Sequence, residues 1–299
     1  MYKTKLQLGS LIFLMSVFLF SCNSPEQTNP EEEIDQEINE QITEDFNQAK
    51  QVFYSLPSPI ETAMLMKRAG AKYDENLLNS ITNIPNYSTT LSKALNLGIY
   101  SADLSFVSMF DQSQASIKYL SATKRLADDL GILNAVDQSY IKRMENNINS
   151  RDSLMEIISE TFMNSNAFLK ENKRPELAAI VLAGGWVEGL YIATQITKNT
   201  SENQELRDRI IDQRLSLTTL LALLDKYKND ENIKIISDDF KKIQKIYDNI
   251  DVNTSKIKAV VDEESNVTTL ESTTSSTFSE DDFVVLSNLV SEIRNNYTK

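Results

Sequence analysis

Apolar residues recur every three to four positions along most of this 299-residue chain, a spacing typical of helices that bury one face. The predicted helix starts share a capping residue or an early proline and lie at Ser58-Pro59, near Ser88, at Ser150, at Pro175 and at Ser279. Gly131 is predicted to end one helical stretch. With only seven glycines and six prolines, the chain lacks the turns of an all-β protein. The pattern therefore predicts an all-α fold.

Two of the predicted helices are apolar on every side. Between Ala94 and Phe110 the only charged residue is Asp103, and between Leu177 and Ile196 it is Glu188. About twenty apolar residues could span a bilayer, but three glycines and Glu188 weaken that interpretation of the second helix. A helix without a polar face more often lies at the centre of a helical protein. We therefore predict that both helices are central and that their glycines and alanines let neighbours approach closely.

A long helical hairpin is predicted near the C-terminal third of the chain. Apolar residues alternate four and three apart along two seams, the heptad pattern of coiled-coil packing. The seams comprise Leu206, Ile210, Leu217, Leu220, Leu224 and Tyr227, with the polar Gln213 among them, and Ile233, Ile236, Phe240, Ile243, Tyr247 and Ile250. Asn229 to Asn232 form the predicted turn. Gln213 either fixes the register or faces a wet end.

The domain organisation follows from shifts in composition. Residues 1–21 form a predicted signal peptide, residues 22–32 an acidic tether and residues 33–299 the helical domain. This domain is predicted to be an elongated helical bundle, as one body or two bundle-like halves. Residues 251–279 are rich in serine and threonine, and we expect a loop there with a short β-hairpin around Val267 to Leu270.

The N-terminus carries an export pattern. Lys3 and Lys5 precede a short apolar run that ends in Ser21-Cys22, which resembles a bacterial lipoprotein signal, although Phe20 is bulkier than usual there. The resemblance implies cleavage before Cys22 and acylation of that cysteine. Asn23 implies the outer membrane, on its periplasmic side by default. The acidic residues from 26 to 45 act either as a surface-export signal or, more simply, keep a stalk extended.

Charge and residue types exclude several functions. Loss of Lys3 and Lys5 with the signal leaves 28 basic against 43 acidic residues, a formal charge of −15, which argues against nucleic-acid binding. The chain contains no histidine, so a Ser-His-Asp triad and a histidine metal ligand are excluded. Lipidation of Cys22, the only cysteine, also removes thiol chemistry. We therefore predict no enzyme activity, no cofactor and no metal.

The two lone acids define a candidate site. Its residues lie on the two apolar helices and are Tyr100, Asp103, Trp186, Glu188 and Tyr191. A carboxylate in apolar surroundings must find a partner or become protonated. In one interpretation these acids line a pocket for a cationic or hydroxylated ligand. In the other they are structural acids, either bonded to a Tyr, Asn or Lys within the protein or located where the helix reaches solvent.

One short segment suggests a family. The residues Gly98-Ile99-Tyr100-Ser101-Ala102-Asp103 resemble the Gly-x-His-x-x-Glu motif of imelysin-like proteins, which are helical, envelope-associated and linked to iron uptake. Tyr100 and Asp103 replace the histidine and the glutamate, so the metal role that the resemblance implies loses its histidine. The body also resembles uncharacterised helical lipoproteins of Gram-negative bacteria, without a diagnostic motif.

These observations lead to three hypotheses. The first is a non-enzymatic outer-membrane lipoprotein that acts as an accessory, scaffold or partner-binding module, held by its lipid and contacting another envelope protein. The second is a ligand-binding or solute-binding lipoprotein with a pocket near Asp103 and Glu188. The third, an enzyme using carboxylates alone, requires two acids in one cleft, and nothing in the sequence places two together.

Overall fold

The computed structural model describes residues 73–110, 112–132, 138–147, 174–199, 204–254, 258–262, 267–271 and 274–299, with Ser150, Ser153 and Ile157. Its helices are α1 (Thr90–Met109), α2 (Ser113–Asp129), α3 (Gln138–Asn146), α4 (Glu176–Asn199), α5 (Gln204–Asp225), α6 (Glu231–Tyr247) and α7 (Glu280–Tyr297). Two 3₁₀ turns, Glu75–Leu77 and Ile81–Asn86, precede α1. The predicted all-α bundle is confirmed. The signal, Cys22, the tether and the helix predicted at Ser58 lie outside the described residues.

Local capping explains where the helices begin and end. The hydroxyl of Thr89 accepts from the Ser92 amide at 3.0 Å, and the Ser92 hydroxyl accepts from the Thr89 amide at 3.1 Å, so α1 is capped at Thr89, next to the predicted start near Ser88. Ser279 and Asp282 form the same reciprocal pair before α7. Gly131 ends α2 in the left-handed region, with φ of 71°, as the sequence indicates.

Helices α1 and α4 pack backbone against backbone at the centre of the bundle. A Cβ on Gly98 would stand 1.9 Å from the carbonyl oxygen of Val181, and one on Gly184 would stand 2.0 Å from that of Leu95. Only glycine permits this separation. The prediction that glycines let these two helices approach closely is therefore confirmed.

Helix α4 forms the middle of the larger hydrophobic core. This core brings together apolar side chains from α1, α4, α5, α6 and α7. Within the described part of the chain, α4 is the one helix long and apolar enough to cross a membrane, and most of its apolar stretch is buried against the other helices. Packing at the centre of a bundle accounts for this composition.

The predicted hairpin is present as α5 and α6. Every apolar seam residue is buried except Tyr227, which is partly buried and packs against the core. The 22 residues of α5 make a helix of about 33 Å. Asp230 caps α6 by accepting from the amides of Asn232 and Ile233. Gln213 is buried rather than at a wet end, and its Oε1 accepts from the Ser216 hydroxyl at 2.9 Å.

The connection between α6 and α7 contains four short strands. Val252–Thr254 (β1) pairs with Thr274–Ser276 (β4), and Lys258–Asp262 (β2) pairs with Val267–Glu271 (β3), both antiparallel. The hairpin predicted around Val267 to Leu270 is therefore present. The two strand pairs make the serine- and threonine-rich region more regular than the predicted loop.

A smaller hydrophobic core lies beside the larger one. It joins the segment before α1 to α1, α2 and the facing ends of α4 and α5, and it includes Tyr87, Tyr100, Phe106 and Tyr119. Many of its rings carry hydroxyl groups, which need hydrogen-bond partners when buried. This is the region in which the predicted acids lie.

Candidate functional site

Glu188 forms a buried ion pair with Arg294, which joins α4 to α7. The two carboxylate oxygens accept from the Nε and Nη2 of Arg294 at 2.8 and 2.9 Å. The side chains are 0% and 9% exposed, respectively. The guanidinium also stacks over the ring of Tyr191, 4.6 Å from its centroid, and its Nη2 donates to the carbonyl of Leu77 at 3.4 Å. Arg294 thus has its charge paired and one face of its guanidinium covered.

Asp103 lies beside this ion pair and is less well supplied with donors. Its Oδ2 accepts from the Asn79 amide at 3.1 Å, whereas its Oδ1 is buried and has no hydrogen-bond donor in the part of the chain that the structure describes. Its carboxyl group lies within hydrogen-bonding reach of the Glu188 carboxyl. Burial and the neighbouring Glu188 charge raise the pKa of Asp103 well above its usual value, and the opposing effects of Arg294 and the Asn79 amide are smaller.

Asn79 links the acids to the rest of the smaller core. Its Nδ2 donates to the Tyr87 hydroxyl at 2.9 Å and to the Asn96 Oδ1 at 3.0 Å, and its carbonyl accepts from the Tyr119 hydroxyl at 3.2 Å. Asn96 in turn donates to the carbonyl of Tyr297 at 2.8 Å. One residue before α1 is therefore bonded to α1 and α2, and through Asn96 to the end of α7.

The tyrosine hydroxyls around the acids are buried and neutral. Tyr100 donates to the carbonyl of Ser80 at 2.7 Å. Burial, with a further contribution from nearby Asp103, raises the pKa of both Tyr100 and Tyr119. Burial and the charges of Glu75 and Asp103 raise the pKa of Tyr73 to about 12, and its hydroxyl has no partner among the described residues.

The structure brings Asp103, Glu188 and Tyr191 to one cluster with Arg294, and Tyr100 lies close to it. It also places Asp103 beside Glu188, a juxtaposition that nothing in the sequence indicated. Trp186 is separate: its Nε1 donates to Ser216 at 2.9 Å, and its ring lies 5.2 Å from that of Phe240. Trp186 therefore belongs to the contact between α4 and the α5–α6 hairpin.

The sequence analysis missed Arg294 and Asn79. Arg294 could have been found, because it lies four residues after Val290 and eight after Leu286, on the buried face of α7. A base at such a position needs an acidic partner. Asn79 gives no such signal, because it lies between two 3₁₀ turns with no periodic pattern around it.

Chemically, the cluster can hold one charge pair and a set of hydrogen bonds away from water. Within the described ranges, no three acids or other metal-ligating residues converge on a point that could hold a metal ion. No protein-family model, no curated protein and no solved structure matches the chain.

Proposed function

We propose that this protein is a non-enzymatic lipoprotein of the outer membrane, anchored through Cys22, whose helical body acts as a scaffold or partner-binding module for another envelope protein. The observation that carries the proposal is the bonding of the candidate site. Glu188 is paired with Arg294, Trp186 with Ser216 and Tyr100 with the Ser80 carbonyl, so these residues hold parts of the fold together. The anchor rests on the sequence around Cys22.

Exposure also favours a structural role. Asp103 and Glu188 are both 0% exposed, and a carboxylate that transfers protons to a substrate must be able to reach it. The Arg294 plane that a ligand anion could approach is covered by the Tyr191 ring on one face. These contacts leave the surface of the helices, rather than this cluster, as the place for a partner to bind.

The anchor can be tested with the single cysteine. Cells are fed an alkyne fatty acid, and label and membrane fraction are compared for the natural chain, Cys22→Ala and the neighbouring control Ser21→Ala. We expect label and outer-membrane location for the natural chain and the control, and neither for Cys22→Ala. Equal labelling of Cys22→Ala would refute the anchor. Protease added to whole cells then reports which face of the membrane carries the body.

The partner role is tested separately by crosslinking in intact envelopes, followed by purification and mass spectrometry. We expect one envelope protein to be enriched reproducibly over a matched lipoprotein of similar abundance. Crosslinks should map to exposed positions on the helices, and a uniform background without an enriched partner would contradict the role.

The alternative is a small-ligand or solute-binding lipoprotein. The observation in its favour is that two buried oxygens beside the candidate site, the Tyr73 hydroxyl and the Asp103 Oδ1, lack partners among the described residues. Thermal unfolding with ammonium, ethanolamine or glucose as probes distinguishes the two functions. The scaffold proposal predicts no saturable shift, whereas a saturable shift lost in Asp103→Asn favours the ligand. The remote imelysin-like, iron-related alternative rests on the Gly98 to Asp103 segment alone.

A further inference from the structure

The buried cluster contains two acids and one base. Asp103, Glu188 and Arg294 all lie inside the core, and burial makes an uncompensated charge costly. Among the residues that the structure describes, the other titratable groups facing Asp103 are phenols, namely Tyr73 from the segment before α1, Tyr100 on α1, Tyr119 on α2 and Tyr191 on α4. Burial raises the pKa of each, so they remain neutral. If both acids were ionised, the cluster would carry one excess negative charge.

We propose that Asp103 and Glu188 together carry one proton at neutral pH and that this proton is on Asp103. The buried cluster is then a pH-sensitive connection between the helices. The proposal goes beyond the scaffold function and does not depend on the lipid anchor.

The hydrogen bonds assign the proton to Asp103. Both oxygens of Glu188 are already taken up by charge-assisted bonds from Arg294. From the described residues, Asp103 accepts one backbone N–H, and its Oδ1 has no donor. A proton on Asp103 turns an acceptor without a partner into a donor, and the Glu188 carboxylate is the acceptor within reach.

The cluster connects four parts of the fold. Asp103 is on α1, Glu188 on α4 and Arg294 on α7, and Leu77 and Asn79 connect all three to the segment before α1. Loss of the proton would place two negative charges side by side in the core. Repulsion between them would weaken the contact between α1 and α4 and the attachment of the segment that Asn79 anchors.

The direction of the pH effect follows from linkage. The pKa of Asp103 is raised in the folded protein, so its contribution is fully present below the ordinary aspartate value of 3.8 and is lost as pH rises towards the folded value. One proton gives about a tenfold decrease in the folding equilibrium constant per pH unit in that window. In Asp103→Asn this contribution disappears, and the amide can still accept from Asn79 and donate to Glu188.

Infrared spectroscopy of the full mature chain tests the proton directly. We expect the C=O band of a protonated carboxylic acid at pH 7, absent in Asp103→Asn and unchanged in the control Asp281→Asn, whose side chain is exposed. Carbon-13 labelling of aspartate should shift this band, which separates Asp103 from Glu188. If Asp103→Asn fails to fold, the natural chain labelled with carbon-13 aspartate is the test. A band that shifts with the label supports the proposal, and a band that does not shift opposes it.

Denaturant titration from pH 5 to pH 8 supplies a second readout. The folding equilibrium constant of the natural chain should fall more steeply with pH than that of Asp103→Asn, by up to about tenfold per pH unit. Absence of a label-sensitive acid band at pH 7, or equal pH slopes in the two chains, would overturn the proposal.

Discussion

Glu188 and Arg294 are 106 residues apart in the chain, yet both oxygens of the acid accept from the guanidinium of the base in the protein interior. The final helix is therefore held to the central helix by a charge pair as well as by apolar packing. Because the pair is buried, removal of one member should destabilise the protein, since the remaining charge cannot be solvated by water.

Replacement of Arg294 by methionine should destabilise the protein strongly. The substitution leaves Glu188 buried with no cation, a change that costs about 3–5 kcal/mol in comparable pairs. Replacing both residues, as Glu188→Leu with Arg294→Met, should cost less because no charge is left unpaired. Chemical denaturation gives both values. Lys234→Met, which breaks an exposed pair with Glu231, is the control and should have a far smaller effect. Equal losses for Arg294→Met and Lys234→Met would contradict the prediction.

Alanine at Gly184 should disrupt the contact between α1 and α4. The added Cβ would stand 2.0 Å from the Leu95 carbonyl oxygen, so the helices must separate and open the core between them. We expect a loss of several kcal/mol, on the scale of severe overpacking, or failure to fold. The neighbouring Gly185→Ala is a matched control, because its Cβ would meet its nearest atom at 3.4 Å. Thermal unfolding should show Gly185→Ala near the natural chain and Gly184→Ala far below it, and similar midpoints for the two would refute the close contact.

Among the polar positions just before α1, Asn79 should be the one whose substitution destabilises the protein most. Asn79→Ala removes the side-chain bonds to Tyr87, Asn83 and Asn96, and each buried polar group left without a partner costs about 1–3 kcal/mol. Asn76→Ala, three residues earlier and exposed, is the control. Hydrogen exchange of the segment before α1 should rise in Asn79→Ala and stay unchanged in Asn76→Ala. Unaltered exchange in both variants would argue against the prediction that the side-chain bonds of Asn79 hold this segment in place.

The single tryptophan should report on docking of the hairpin. Trp186 is fully buried and donates to Ser216, so its fluorescence should have the blue-shifted emission of an apolar site and resist quenching by acrylamide. Emission should shift to the red in one transition with the loss of helix measured by circular dichroism. In Ser216→Ala, loss of the bond to the indole N–H should lower stability by about 1–3 kcal/mol. Strong acrylamide quenching of the native protein would contradict the buried location.

Local periodicity was sufficient to predict the helices. It did not predict which side chains of different helices pair with each other. The α5–α6 seams could be read because Leu217 and Ile236 belong to runs whose spacing alone defines a buried face. Burial of Asp103 and Glu188 followed from the apolar residues around them. Their contact with each other did not follow, because it depends on how α1 and α4 cross, and helix crossing leaves little trace in the residues of either helix. The partner of Arg294 likewise lies 106 residues away, and Asn79 stands between two 3₁₀ turns where no periodic pattern marks it.

The contact of Gly98 and Gly184 with opposing carbonyls has a consequence for evolution. Contact between the backbones of two helices constrains the sequence in one way, by requiring that two positions lack a Cβ. The surrounding side chains remain free to diverge together. Proteins that share this architecture would therefore retain two glycines on two apolar helices long after the rest of their sequences have become unrecognisable. Descent in such a group would be traced most securely through that pair.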